Sequence, residues 1–257
     1  SVGGDIQADV PSGFFTLDTQ RVGPVSGPPD LDEEAPLGFE PCPERDELEA
    51  LFEGSHDEPA GGYPLEGLQV IDCGVGAVGV EAARILAEYG AEVIKIESAQ
   101  APDFIRVIMS SYMNPSFASS NRTKQSFGVN LKHERGRELL GELVRGADVF
   151  IENNGTGTTE KMGFGVESLR KMNPRIVSFS SQMPGAYGPW KDWIGYGPNT
   201  HPLSGLQHLW NYPEDEEEPA GSTAVYPDHF VGRLGPVTIL AGRIGRARVG
   251  VGSHFDA

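Results

Sequence analysis

Cysteine is nearly missing from these 257 residues: there are two, Cys42 and Cys73. Two thiols cannot build a disulfide framework, so a reducing cytoplasm is the expected compartment. No apolar run approaches the ~20 residues that span a bilayer, and no signal peptide opens the chain, so no membrane partner is expected. Ser1 stands where a Met would, which suggests processing or a piece of something longer. Positive charge is also scarce, 20 Lys and Arg against 37 Asp and Glu. A nucleic-acid binder needs a basic face, and none is legible.

The charge deficit is local. Residues 1–63 hold 15 acids and two arginines, whereas residues 64–257 hold 22 acids and 18 bases. That first quarter is also rich in Pro and Gly, with one short helix candidate over about 44–52. It has too little apolar surface to bury, so it is expected to be an acidic, irregular extension or linker. The run from Glu214 to Glu218, between Pro213 and Pro219, is expected to be an exposed loop.

From Pro64 onward, strand and helix patterns alternate. LQVIDC (68–73) is a short apolar strand, followed by a helix over about 79–89. AEVIKIE (91–97) is the next strand, and residues 134–146 form a helix with Leu139, Leu140, Leu143 and Val144 on its buried stripe. ADVFIEN (147–153) reads as a third strand, VESLRKM (166–172) as a helix and RIVSFSSQ (175–182) as a fourth strand. A helix over about 229–243 precedes a last strand near 252–257. Strands separated by helices imply parallel pairing with right-handed crossovers. The expected fold class is therefore α/β, a Rossmann-like open parallel sheet with helices on both faces, occupying residues 64–257.

Gly74, Gly76 and Gly79 satisfy the GxGxxG spacing between a strand and a helix, and Glu97 closes the next strand. Taken alone, this is the dinucleotide fingerprint: a tight turn, close pyrophosphate approach, and an acid for the ribose. The blander account is that glycines let any such turn pack closely. The segments beyond Glu97 point away from NAD.

The segments PLEGLQVID (64–72) and YGAEVIKIE (89–97) are followed by Asn121, Arg122, Lys124, Ser126 and Asn130 to Lys132. Next come ADVFIEN (147–153), Asn173 to Val177, the run from Gly185 to Leu206, and a closing turn over 246–257. In this order they resemble family III CoA-transferases, the group of formyl-CoA and carnitine CoA-transferases and the related α-methylacyl-CoA racemases. The resemblance covers about 64–257, roughly three quarters of the chain.

The resemblance implies coenzyme A as substrate, with no NAD and no metal, and a nucleophile at Asp228 in VYPDHFVG. Its carboxylate would attack an acyl-CoA thioester to give an aspartyl-acyl anhydride, so that CoA passes to a carboxylic acid. Read without the family, Asp228 could be merely a helix N-cap. The family's CoA contacts fall on Ala77 and Val78; on Val129, Asn130, Leu131 and Lys132; on Asn153, Asn154 and Gly155; and on Lys161. Tyr196 would line the pocket. Each Lys, taken singly, could be an ordinary solvated side chain. Two departures stand out: Ser98 replaces a basic residue, and Ala77 and Val78 replace polar turn residues.

Racemases of this resemblance carry a His-Asp dyad, with the His where this chain has Tyr196, between Gly195 and Gly197. A neutral phenol is a poor base near neutral pH. His201 lies five residues on, off the spacing, and His229 matches no family position. Family members run longer and form interlocked dimers, so the resemblance implies a homodimer or a companion half. It also leaves open a tandem CoA-transferase/lyase of the dimethylsulfoniopropionate type, or a non-catalytic part of a larger CoA-binding protein.

Overall fold

The computed structural model describes residues 62–108, 113–210, 212, 214 and 225–257. The helix candidate over 44–52 and nearly all of the acidic first quarter lie outside the described residues. So does most of the 214–218 run, of which Glu214 is an exposed turn residue.

Six strands form one parallel sheet. They are β1 (Gln69–Cys73), β2 (Glu92–Glu97), β3 (Gln125–Gly128), β4 (Val149–Glu152), β5 (Val177–Ser180) and β6 (His254–Asp256), in the order β3-β2-β1-β4-β5-β6. Val70 sits opposite Val93 on one side and Val149 on the other, and Phe179 opposite Phe255. The order reverses between β1 and β4, which sets a switch point where their carboxyl ends diverge.

Side chains on a strand alternate between faces, and the core divides accordingly. Ile71, Ile94 and Phe150 pack with Leu139, Leu140, Leu143 and Val144 of α4 (Glu134–Gly146) and with Leu169 of α6 (Val166–Met172). Their neighbours Val70, Val93, Val149 and Ile151 face the other way. They pack against Ala83, Leu86 and Ala87 of α1 (Val78–Glu88) and Ile239 of α9 (Tyr226–Val249). Helices therefore cover both faces, as the alternating pattern implies. A β-carbon on Gly235 of α9 would lie 2.9 Å from the Ala82 β-carbon of α1, so the small residue sets how closely the two helices meet.

The remaining helices are short: α2 (Phe104–Ile108), α3 (Pro115–Asn121), α5 (Thr158–Lys161), α7 (Gly197–Leu203) and α8 (Leu206–Leu209). Two expectations need correcting. β3 was not anticipated, so the strand expected third is the fourth. The late helix begins three residues earlier than expected and ends six later, which places Asp228 inside its first turn. Gly250, with φ at 80°, closes that helix in the left-handed conformation that glycine adopts without strain.

Candidate active site

The turn leaving β1 is braced by a polar cage. Asp72 accepts from the Gly74 amide at 2.9 Å and pairs with the buried Lys124 ammonium at 2.7 Å. Lys95, also buried, donates to the Gly74 carbonyl and lies 3.4 Å from Asp103. Asp103 in turn accepts from the Gly76 amide at 3.0 Å through either oxygen. Asn153, just past β4, closes the other side: its amide accepts from Val75 N at 2.7 Å and donates to Val75 O at 2.8 Å.

Glu97 is committed elsewhere. It takes Arg106 Nε at 2.7 Å and Nη2 at 3.3 Å, and the Asp103 amide at 3.2 Å. The Phe104 ring covers Gly76 so closely that a β-carbon there would meet it at 2.1 Å.

A cavity of about 630 Å³ opens above this turn at the switch point. Its lining includes Ala77 and Val78 from the turn, Asn153, Asn154 and Gly155 after β4, Gln182 after β5, Tyr196, and Asp228 from α9. Seven of the anticipated positions thus come together. Five do not line it. Val129 to Lys132 follow β3 at the sheet's outer edge, where Val129 joins the core and Asn130 caps its own turn by accepting from Lys132 N at 3.0 Å. Lys161 ends α5 and is exposed.

Asp228 is not a helix cap: Val225 holds the N-cap position of α9 and makes no side-chain cap bond. The carboxylate instead lies against the backbone where α7 begins. A β-carbon on Gly197 would fall 2.5 Å from Asp228 Oδ1, so this approach needs the glycine. Burial pushes the Asp228 carboxyl above the ordinary carboxylate range; His229 and His201 pull it down and Glu81 adds to the rise. His229 Nδ1 meets Glu81 Oε2 at 2.5 Å, and Arg84 pairs with the same carboxylate at 3.3 Å. Tyr196 is exposed and sets its ring edge-on to Phe104, with centroids 5.7 Å apart.

Several of these residues escape a reading by motif. The Glu81–His229 pair joins residues 148 positions apart, and no local pattern announces it. Gln182 reaches the cavity from the irregular segment after β5, and Phe104 from the start of the short α2. Glu152 closes β4 and is buried; burial lifts its carboxyl to about 7 although Asn154 and Gln182 both hydrogen-bond to it. Among the described residues, no cluster of His, Cys, Asp or Glu suits a metal ion, and no helix is long and apolar enough to cross a membrane.

Comparison with known proteins gives a consistent picture. Residues 65–257 match CoA-transferase family III. The protein named probable CoA-transferase Rv1866 of Mycobacterium tuberculosis is 34% identical over 97% of this chain, which covers 31% of that protein. The succinyl-CoA–L-malate CoA-transferase beta subunit of Chloroflexus aurantiacus is 32% identical over 76% of this chain and 48% of its own length. Among solved structures, a CAIB/BAIF family protein from Brucella suis superposes with a TM-score of 0.69 at 31% identity, over 76% of this chain and 53% of that one. The chain thus spans about a third to a half of the length of the relatives it matches.

Proposed function

This chain belongs to CoA-transferase family III, and on that footing we propose that it moves CoA from an acyl-CoA donor to a carboxylic acid through a covalent intermediate on Asp228. The observation that carries the reading is the Asp228 carboxylate lining the switch-point cavity opposite the glycine turn and the Asn153–Gly155 loop. The cavity volume falls within the roughly 300–1,000 Å³ of ligand sites.

The Asp228 carboxylate adds to the thioester carbonyl and expels CoA thiolate, leaving a mixed anhydride. The thiolate then attacks the aspartyl carbonyl, releasing the first acid and forming an aspartyl-CoA thioester. The acceptor carboxylate attacks the aspartyl-CoA thioester and expels CoA thiolate, giving a second mixed anhydride. The thiolate then attacks the acceptor's acyl carbonyl, releasing the new acyl-CoA and the Asp228 carboxylate. Every step is acyl transfer with no change of oxidation state, so no redox partner is needed. The Asn153 amide keeps one N–H beyond the one it gives Val75 O, and with the backbone N–H of Gly155 it offers neutral donors on the same cavity wall for a developing oxyanion.

The glycine turn argues against a dinucleotide in its fingerprint pose, and a CoA diphosphate would have to sit away from the Gly76 amide. A pyrophosphate on this turn would meet the Asp103 carboxylate on the Gly76 amide, and the acid meant for a ribose, Glu97, is held by Arg106. Racemisation gains no support, since Tyr196 stands where a base would be needed. Val129 to Lys132 and Lys161 remain proposed contacts for the outlying part of CoA. The acyl-CoA and acid substrates, and a second copy or companion half completing the site, belong to the same proposal. Succinyl-CoA and L-malate, named for the Chloroflexus relative, are the first pair to test.

The decisive test is trapping. Incubation of the intact protein with donor, then hydroxylamine or borohydride, should mark the peptide holding Asp228 in a mass spectrum. Asp228→Asn should abolish exchange and leave CoA affinity within about twofold, since the amide keeps the shape but cannot attack. Full exchange by that variant would remove the mechanism.

A further inference from the structure

We propose that Glu152 is a positioning residue of the large cavity, its charge state deciding which end of the Gln182 amide faces away from it. The proposal rests on reading that cavity as the acyl-CoA site.

Glu152 ends β4 in register with Cys73 of β1 and Ser180 of β5, at the switch point. It is 7% exposed. Its Oε2 accepts from Asn154 N at 2.8 Å and Nδ2 at 3.4 Å; its Oε1 accepts from Gln182 Nε2 at 2.5 Å. Asn154 is pinned further, because Nδ2 also donates to the Cys73 carbonyl at 3.1 Å. Gln182 is not pinned: its Oε1 is buried and has no hydrogen-bond partner among the described residues. Gln182 lines both the large cavity and a smaller chamber of about 70 Å³, which Glu152 lines as well. With Thr156, it lies between them.

An ionised carboxylate can only accept, so Gln182 must turn its NH₂ toward Glu152 and leave its carbonyl stranded. A buried, unpaired carbonyl is costly. A protonated Glu152 carries one O–H. Rotating the Gln182 amide by half a turn lets Oε1 accept that proton and puts Nε2 in the stranded position. The end of Gln182 facing away from Glu152 then changes from acceptor to donor, while both Asn154 bonds persist.

The surroundings favour such a proton at accessible pH. Among the described residues no Lys or Arg forms an ion pair with Glu152, and burial lifts its carboxyl to about 7. The charged and titratable groups that face it are Glu160 of α5, which raises it further, the Cys73 thiol on β1, and His254 and Tyr187 around the small chamber. Cys73 stays neutral because burial pushes its thiol far up. The His254 imidazole is pulled down by burial and so favours its neutral form. A neutral Glu152 and a Gln182 amide turned with its NH₂ away from it both make the cavity wall less negative, without direct contact, so an anionic ligand such as CoA should bind less tightly as pH rises.

Difference infrared spectra of the intact protein, from pH about 5.5 to about 8.5, should show a protonated-carboxyl band lost near neutrality and absent in Glu152→Gln. The Gln182 side-chain amide resonances, assigned with Gln182→Met, should shift with the same midpoint. Calorimetry should find CoA bound about three- to tenfold more tightly at the acidic end, with both variants giving flat profiles. A carboxyl band that Glu152→Gln leaves in place, or Gln182 resonances that do not move with it, would overturn the proposal. Flat CoA affinity in the unaltered protein despite both titrations would also overturn it. No CoA binding at any pH, with both titrations intact, would instead count against the coenzyme reading while supporting the Glu152–Gln182 exchange.

Discussion

As the proposed nucleophile, Asp228 would have to be ionised to attack a thioester, and its surroundings pull in two directions. Burial and the Glu81 carboxylate raise it, while the His229 imidazole beside it works against them. For an acid with a raised pKa, the reactive anion is lost at a higher pH than for a free Asp. Activity should therefore fall on the acid side, at a pH above the usual carboxylate range. His229→Gln removes the opposing charge, so the acid limb of the kcat profile should move to higher pH, with CoA affinity at neutral pH nearly unchanged. An acid limb that stays in place would show that His229 does no more than brace Glu81. That Asp228 would reach the cavity followed from the family pattern alone, because its neighbours in the chain carry the signature. The groups that tune it were not legible, since Glu81 and His201 reach it only after α1, α7 and α9 have packed.

The strands and long helices were legible because their apolar spacing is strong. α4 matches residue for residue, and its four buried apolar residues are the anticipated ones. β3 was illegible for a physical reason: four residues, QSFG, at the sheet edge and only partly buried, with no alternation to read. The late helix, expected over about 229–243, already spans Pro236; its first turn and its last six residues were missed. Pro227 sits in that first turn, where a missing N–H costs nothing. One of the family segments, the one holding Lys124, joins elements rather than touching the cavity. Lys124 before β3 bonds Asp72 of β1, the Val80 carbonyl of α1 and Asn121 of α3, all out of water. Lys124→Met would leave Asp72 charged, buried and without its ion pair. It should destabilise the protein by about 3–5 kcal/mol, read as a lower denaturant midpoint. Asp72→Asn added to Lys124→Met should recover part of that loss, because no bare charge then remains. A single variant as stable as the parent would show that water reaches Asp72.

At the scale of the whole molecule, the strand order could not be taken from the chain, although its consequence could. Alternating β and α segments imply a parallel sheet, but they do not say which neighbours β1 takes. Only the pairing of β1 with β4 creates the switch point that gathers Ala77, Asn153, Asn154 and Asp228 around one opening. The same topology makes the NAD and CoA readings compete for one crevice, and the cage beneath the turn is one ground for proposing CoA. With the Gly76 amide on Asp103 and Glu97 on Arg106, a dinucleotide loses both its phosphate cradle and its ribose acceptor. Calorimetry should find micromolar CoA binding and silence with NAD or NADP. Freeing the cage should not rescue it: Asp103→Asn leaves Glu97 paired, so NAD should stay silent while Lys95 loses a buried counter-ion and the fold weakens. Micromolar NAD binding with silent CoA would restore the glycine triplet to its dinucleotide meaning, and Asp228 would then have to be explained as a carboxylate that only lines the wall.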